Sequence, residues 1–168
     1  MSAKTVFKIS VLIALALGAI PGRAQVQTGV DGGTTTESII ISSETTLQEL
    51  AFTEVSIPNT GSVWHCAATC SVEARLSTAN SGNKVRGRLA LVHESSAVTG
   101  TTRRFELDDN SGVNDADSIE VSTTGLVTNL SPGVSHRLSC RAAKQAGDVG
   151  TIRISTSSIT VSCSDFRF

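Results

Sequence analysis

The four cysteines are the residues whose type and spacing point to the clearest chemistry in this chain. They are Cys66, Cys70, Cys140 and Cys163, and four cysteines allow three disulfide pairings. Cys66 and Cys70 would lie about 13 Å apart on a continuous strand at 3.3 Å per residue, whereas bridged Cα atoms lie within about 7 Å. A bridge between these two is therefore disfavoured. The spacing predicts that each of them bonds to either Cys140 or Cys163.

A zinc site is the alternative use of these thiols. Cys66 and Cys70 are possible zinc ligands, and the three histidines of the chain are further candidates: His65, His93 and His136. The chain has no Cys-x-x-Cys pair of the kind that structural zinc sites use. On a regular strand, His65 also points to the opposite face from the two cysteines. Two structural disulfides are therefore the favoured interpretation.

An acidic segment, residues 108–117, has the density of oxygen ligands that calcium prefers. Its candidate ligands are Asp108, Asp109, Asn110, Asp115 and Asp117. The spacing departs from an EF-hand loop, because Gly112 stands one position early and no glutamate closes the loop. A solvated hairpin loop would have the same composition. Calcium is the one cofactor that the residues suggest, and no other is expected.

Three arginines are candidates for ligand binding: Arg137, Arg141 and Arg153. If a turn at residues 146–150 pairs Cys140 with Ile154, then Arg141 faces Arg153 across two strands. Like charges directly opposite each other destabilise a sheet, so an anionic partner is expected there, either an acidic glycan or a carboxylate of a neighbouring subunit. The alternative is a solvated face that nearby acidic residues balance, since exposed charges usually contribute little.

Motifs for catalysis are not evident. Serines are frequent, yet no Gly-x-Ser-x-Gly nucleophile elbow occurs. The paired carboxylates all lie in the acidic segment, where nothing apolar flanks them to raise a pKa. The sequence therefore predicts a protein that is not an enzyme. A small secreted hydrolase remains an alternative, because catalytic triads assemble from residues far apart in sequence.

Strand-like alternation of apolar and polar residues must position these side chains. Over residues 63–76 every second residue is apolar, which predicts a long strand with Trp64 and Cys66 facing the core. Residues 134–142 alternate in the same way around Cys140. Two further alternations, residues 152–154 and 159–163, predict an antiparallel three-strand meander with that segment.

Short apolar stretches separated by Gly, Asn and Ser turns predict roughly eight to ten strands in total. One of them, residues 47–57, changes parity between Phe52 and Val55, which predicts a β-bulge or two short strands. No segment of useful length has the period of a helix. The predicted fold class is all-β, an antiparallel β-sandwich of jelly-roll or immunoglobulin-like architecture stapled by disulfides.

The first 24 residues have the features of a secretory signal peptide. Lys4 and Lys8 precede an apolar run at residues 9–20, and Gly22 and Ala24 are the small residues expected before a cleavage site. The apolar run is shorter than the ~20 residues that cross a bilayer, so we expect export without stable membrane insertion. Residues 25–37 are polar and glycine-rich, and we interpret them as a flexible arm. Residues 38–168 are predicted to form a single β-sandwich domain.

The charge balance excludes one class of partner. The whole chain carries 14 basic and 15 acidic side chains, and loss of Lys4, Lys8 and Arg23 with the signal peptide leaves 11 against 15, a net charge of −4. General nucleic-acid binding would require a basic surface instead. Aromatic residues make up only 4% of the chain, which suits narrow sheets better than a large ligand cavity.

These features predict a secreted, periplasmic or cell-surface protein that acts as a non-catalytic binding or surface-interaction module. Its expected partner is an extracellular glycan or another protein. The first alternative is a structural extracellular protein that self-assembles as a homo-oligomer. The fold does not choose among these functions, because β-sandwiches host all of them.

Overall fold

The strands of the protein form two antiparallel sheets in a computed structural model. It describes residues 25–26, 39–42, 45–76, 84–108, 118–148 and 150–165. Within these ranges the chain forms strands and no helix. The strands are β1 (Gln25–Val26), β2 (Ile39–Ile41), β3 (Gln48–Ser56), β4 (Trp64–Leu76), β5 (Lys84–His93), β6 (Ser96–Ala97), β7 (Arg103–Asp108), β8 (Ser118–Leu130), β9 (Ser135–Lys144) and β10 (Ile152–Asp165). The predicted all-β sandwich is confirmed.

The two sheets each contain five strands. The first, which we call the β4 sheet, has the order β1-β10-β4-β8, and β2 pairs with β10 as well. The second, the β9 sheet, has the order β3-β9-β5-β6, and β7 also pairs with β5. The inward faces of both sheets contribute to one hydrophobic core of buried side chains. Apolar residues at every second position produce this arrangement, because successive side chains of a strand point to opposite faces.

Strand β4 shows the alternation most clearly. Every even-numbered residue of β4, from Trp64 to Leu76, is buried. Trp64 is fully buried, as predicted, and its indole Nε1 donates a hydrogen bond to Thr60 Oγ1 at 3.3 Å. Burial of one Val, Leu or Ile side chain contributes about 1.5–3 kcal/mol, so a strand with an unbroken inner face stabilises the sheet on which it lies.

All four cysteines form disulfides, as predicted. Cys66 bonds to Cys163 with Cα atoms 4.0 Å apart, and Cys70 bonds to Cys140 with Cα atoms 5.6 Å apart. The first bridge joins facing positions of β4 and β10 within one sheet. The second crosses the core from the β4 sheet to the β9 sheet. The structure thus selects one of the two pairings that the spacing left open, and it leaves no thiol for zinc.

The predicted three-strand meander is wrong. The two alternations at residues 152–154 and 159–163 belong to one strand, β10, with a register shift between Ile154 and Thr156. Because this β-bulge inserts one residue, Ile154 and Ile159 reach the same buried face although their positions differ in parity. Strand β10 pairs with β1, β2 and β4 in one sheet, whereas β9 lies in the opposing sheet.

A second bulge accounts for the exposure of Phe52, an apolar residue of the predicted strand at residues 47–57. In β3 the register shifts between Glu49 and Ala51, earlier than the position predicted from the change of parity. Leu50 and Val55 therefore face the core, whereas Phe52 is 48% exposed. Val134 is likewise 48% exposed, because it precedes the first residue of β9.

The N-terminal predictions fall largely on residues outside the described ranges. The signal peptide, residues 1–24, lies outside them, and so do residues 27–38, which include most of the predicted arm. The first two residues of that arm form β1 beside Cys163 and Ser164 of β10. No helix among the described residues has the length and apolar character needed to cross a membrane. The two disulfides indicate an extracellular or otherwise oxidising compartment.

The bridge between the sheets makes a measurable contribution to stability. We expect that replacing Cys70 and Cys140 together with alanine lowers the free energy of unfolding by about 4 kcal/mol, because the bridge closes a long loop of the unfolded chain. Urea denaturation followed by Trp64 fluorescence measures this change. The same replacement at Cys66 and Cys163, which lie 97 residues apart against 70 for the first pair, is expected to cost slightly more. A loss below about 1 kcal/mol in both variants would contradict the expected role of the bridges.

Candidate functional site

The outer face of the β9 sheet carries most of the candidate site residues. On β5 the side chains of Val85, Leu89 and Leu91 are buried in the core, so the intervening residues point outward. On β9 the same reasoning applies around Leu138 and Cys140. The outward residues of these two neighbouring strands are Arg86, Arg88, Ala90 and Val92 on β5, and Arg137, Ser139, Arg141 and Ala143 on β9.

A groove of about 450 Å³ lies on this face. Ala90 and Val92, both 1% exposed, contribute small apolar side chains to it. Arg88 and Arg141 also line it, together with residues that carry hydroxyl groups: Thr45, Thr46, Ser95 and Thr102. Ala90 stands directly opposite Arg141 in the pairing of β5 with β9. The groove therefore combines two guanidinium groups with hydroxyl groups and a small apolar surface.

The guanidinium of Arg88 is only partly satisfied. Its Nη2 donates a hydrogen bond to the carbonyl oxygen of Thr45 at 3.2 Å. Its Nε is buried and has no hydrogen-bond acceptor among the described residues. A buried donor without an acceptor costs about 1–3 kcal/mol. Arg88 also stands opposite Arg104 in the pairing of β5 with β7. Arg88 forms no ion pair with a described acidic residue, so the two like charges of Arg88 and Arg104 favour an anion beside them.

Arg137 and Arg141 are held by a shared carboxylate. Glu49 accepts hydrogen bonds from Arg137 Nη2 at 2.7 Å and from Arg141 Nη2 at 3.2 Å. The guanidinium of Arg137 also lies 3.6 Å from the ring centroid of Phe52, a favourable cation–π geometry. The hydrogen bond from Arg137 is the main reason that the pKa of Glu49 lies below its ordinary value. At this end of the face, neighbouring acidic residues thus balance the arginines.

The structure separates Arg153 from the other two predicted arginines. Arg153 lies on β10 in the β4 sheet, between Arg75 of β4 and Ile40 of β2. The prediction that it faces Arg141 is wrong, because β9 and β10 belong to different sheets. Arg88 is the cation that accompanies Arg141 instead. The sequence contained an indication of Arg88, since Lys84, Arg86 and Arg88 alternate along β5.

Asp108 is the one predicted calcium ligand within the described residues. Its Oδ2 lies 2.9 Å from Nζ of Lys84 on the neighbouring strand β5. The other candidates, Asp109, Asn110, Asp115 and Asp117, lie outside the described residues. The calcium prediction therefore remains a prediction.

Two of the three histidines lie together. His93 Nε2 is 3.2 Å from His136 Nδ1, and the ring centroids are 5.3 Å apart. Burial is the main reason that the pKa of His93 lies below its ordinary value, and the neighbouring His136 lowers it further. His65 lies on β4, in the other sheet. The zinc set considered from the sequence thus reduces to His93 and His136, because both cysteines are in disulfides.

Comparisons with known proteins identify no family for this chain. No protein-family model matches it, and no curated protein matches its sequence. Several solved structures resemble it at low identity. A sugar-binding protein, the EclA C-terminal domain, is 14% identical at a TM-score of 0.40, over 75% of this chain and 79% of that chain.

Two other similar structures have different descriptions. Dimeric latent PorU from Porphyromonas gingivalis is 12% identical at a TM-score of 0.42, over 82% of this chain and 14% of that chain. A chain of an expanded equine rhinitis A virus particle is 14% identical at a TM-score of 0.29, over 99% of this chain and 87% of that chain. At these identities and TM-scores the similarities assign no function.

The ion pairs of Glu49 should make stability depend on pH. A carboxyl whose pKa is lowered by folding stabilises the protein above its unfolded value of 4.5, and this contribution is lost as the pH falls through the lower folded value. We therefore expect Glu49→Gln to lower the midpoint of thermal unfolding at pH 7, and the difference from the wild type to shrink below about pH 4.5.

Glu54→Gln is the matched control, because the Glu54 carboxylate is 60% exposed and lies 3.4 Å from Arg137. We expect that substitution to change the unfolding midpoint little at any pH. Thermal unfolding of both variants from pH 7 to pH 3 makes the comparison. A Glu49→Gln effect that is unchanged at low pH would show that the ion pairs do not cause it.

Proposed function

We propose that the protein is an extracellular, non-catalytic binding module whose groove holds the anionic group of an acidic sugar beside Arg88 and Arg141. The observation that carries this proposal is that Arg88 lines an open groove together with Arg141 and forms no ion pair with a described acidic residue. A carboxylate or sulfate group in the groove would balance that charge and accept hydrogen bonds from the guanidinium groups. Planar, two-pronged hydrogen bonding to such groups is what a guanidinium does best.

The remaining lining of the groove supports a sugar as the carrier of the anionic group. The hydroxyl groups of Thr45, Thr46 and Thr102 can exchange hydrogen bonds with sugar hydroxyls, while the more exposed Leu47 and Ala97 offer apolar contact to the ring. The volume of about 450 Å³ falls within the usual range for small-ligand sites. The described lining residues include no aromatic ring, so charge, and not stacking, would anchor the sugar.

Further cations surround the groove. A second depression of about 260 Å³ adjoins it through Arg88 and is also lined by Arg104 and Lys144. Arg103 and Arg104 are exposed, and neither forms an ion pair with another described residue. Clustered charges of one sign raise the local concentration of the opposite ion. This part of the surface would attract an anionic ligand although the mature chain is predicted to be negative overall.

The surroundings of the histidines support the non-catalytic part of the proposal. In the described part of the chain, the side-chain hydrogen bonds of His93 and His136 run to each other and to the main-chain carbonyl of Ser131. No serine or threonine hydroxyl is hydrogen-bonded to either imidazole there. A histidine that activates a nucleophile comes within hydrogen-bond reach of that hydroxyl when substrate is bound.

Binding of acidic sugars by Arg88 variants tests the proposal. The wild-type protein is expected to bind oligosaccharides that contain uronic acid, sialic acid or sulfate on a glycan array, and to ignore their neutral counterparts. Isothermal titration with an oligosaccharide selected on the array should show a loss of at least about tenfold for Arg88→Gln, because a hydrogen bond to a charged group contributes about 1.5–3 kcal/mol.

Arg153→Gln is the matched control, since it removes the same charge from the opposite sheet. Its affinity for the selected oligosaccharide should equal that of the wild type. If Arg153→Gln weakened binding as much as Arg88→Gln, the oligosaccharide would be held by the overall charge of the protein and not by a specific site in the groove. Absence of binding to every acidic sugar would overturn the proposal.

Self-assembly is a second candidate function, and the edge of the β4 sheet favours it. Strand β8, 13 residues long, pairs with β4 on one side and with no described strand on the other. It also exposes Leu126 at 59% and Ile119 at 37%. A long exposed edge with apolar side chains is a template for pairing with another chain.

Light scattering of the protein over a range of concentrations tests this second function. We expect an oligomer in the wild type and a shift to monomer in Leu126→Lys, because a lysine at the edge opposes strand pairing. Val134→Lys is the control, because it replaces an exposed apolar side chain that lies outside β8. Val134 is 48% exposed, and this variant should have the same solution mass as the wild type. A wild-type monomer at all concentrations would exclude assembly through β8.

A further inference from the structure

A cluster of two imidazoles and one carboxylate lies at the end of the pairing between β5 and β9. His93 is the last residue of β5 and stands opposite Leu138. His136 lies two residues before Leu138 on β9, and Glu94 follows His93 in the turn that leads to β6. One ligand atom from each of these three residues lies within 4.8 Å of the others. The cluster belongs neither to the groove nor to the disulfides.

The distance between the two imidazoles matches a shared metal ion. His93 Nε2 and His136 Nδ1 are 3.2 Å apart. Zinc binds histidine nitrogens at about 2.0–2.1 Å in tetrahedral geometry, which places two such nitrogens about 3.3–3.4 Å from each other. An ion could thus replace the present contact between the nitrogens with little movement of either ring.

The other nitrogen of His136 is already oriented as in metal sites. His136 Nε2 lies 3.3 Å from the carbonyl oxygen of Ser131. Because a carbonyl only accepts, Nε2 must carry the hydrogen, and the lone pair of Nδ1 then points toward His93. Histidines that bind metals almost always donate their second N–H to a carbonyl or carboxylate in this way.

Glu94 is held near the imidazoles by an unusual backbone conformation. Its φ is +54°, a region that glycine and asparagine adopt easily and that strains glutamate. Its carboxylate Oε1 accepts a hydrogen bond from the main-chain N–H of Arg137 at 2.8 Å and lies 3.9 Å from His93 Nε2. The chain thus accommodates strain at the position that brings a carboxylate to the two histidines.

We propose that His93, Glu94 and His136 form a binding site for a divalent transition-metal ion such as Zn²⁺. The ligands are His93 Nε2, His136 Nδ1 and a carboxylate oxygen of Glu94. Two imidazoles and a carboxylate suit zinc and its neighbours in the first transition series better than calcium, which prefers oxygen ligands alone. Three protein ligands leave a fourth position for water or for an oxygen of a bound molecule.

Metal titration of the full chain tests the site. After treatment with a chelator and its removal, zinc chloride is titrated into the protein in a calorimeter, and cobalt(II) is followed by its visible absorption. We expect one ion per chain for the wild type and tetrahedral cobalt bands. His93→Gln, His136→Gln and Glu94→Gln should each weaken binding by about tenfold or more, with folding verified by thermal unfolding.

Two control variants separate this site from zinc binding elsewhere on the protein. His65→Gln removes the remaining histidine, and Arg88→Gln alters the groove, so both should bind zinc as the wild type does. This makes failure of the metal site distinguishable from failure of the sugar site. Absence of zinc binding in the wild type, or an equal loss in His65→Gln, would overturn the proposal.

Glu94→Gly adds a readout that does not depend on the histidines. Glycine adopts a positive φ without strain, which offsets the lost hydrogen bond from the main-chain N–H of Arg137, so this variant should stay folded while it loses zinc affinity. If the variant kept its zinc affinity, Glu94 would not be a ligand. Added zinc should raise the unfolding temperature of the wild type and of the two control variants, and not that of Glu94→Gly.

Discussion

The disulfide between Cys70 and Cys140 holds the two sheets in the arrangement from which the other features of the molecule follow. It is the covalent link between the sheets among the described residues, and both of its sulfur-bearing side chains are fully buried. The core around it contains two aromatic rings, those of Trp64 and Phe105, and consists mainly of Leu, Ile, Val and Ala side chains. A bridge that restricts the unfolded chain adds to the stability that this core provides. The bridge also places β9 opposite β4, and the outward face of β9 follows from that placement.

The arginines of that outward face illustrate how neighbours decide the role of a charge. Arg137 is stacked on Phe52 and bonded to Glu49, so its charge is used within the protein. Arg141 shares the same carboxylate yet also lines the groove. Arg88 donates a hydrogen bond to a main-chain carbonyl oxygen and forms no ion pair with a described acidic residue. The charge of Arg137 is therefore neutralised within the protein, whereas the charge of Arg88 is available to a ligand. The groove lies beside Arg88.

The turn after β5 connects the groove with the histidine cluster. Ser95 lines the groove, and the preceding residue, Glu94, accepts a hydrogen bond from Arg141 through its carbonyl oxygen at 3.4 Å. The same residue bonds to the main chain of Arg137 through both its N–H and its carboxylate. Strained backbone conformations occur often at functional sites, where surrounding contacts such as these hydrogen bonds hold a conformation that is unfavourable for the residue itself.

The order of residues was enough to predict which side chains are buried along most strands and to exclude a bridge between Cys66 and Cys70, because alternation and spacing are local properties. The bulge in β3 made this prediction wrong at Phe52, which is exposed. The bulge in β10 left Ile154 and Ile159 buried as predicted, but it joined two predicted strands into one.

Three features emerged only from the folded chain: β9 and β10 lie in different sheets, Arg88 and not Arg153 accompanies Arg141, and His93 meets His136 across 43 residues. Pairing between strands depends on contacts far apart in sequence. The alternation of apolar and polar residues within one strand does not indicate which other strand pairs with it.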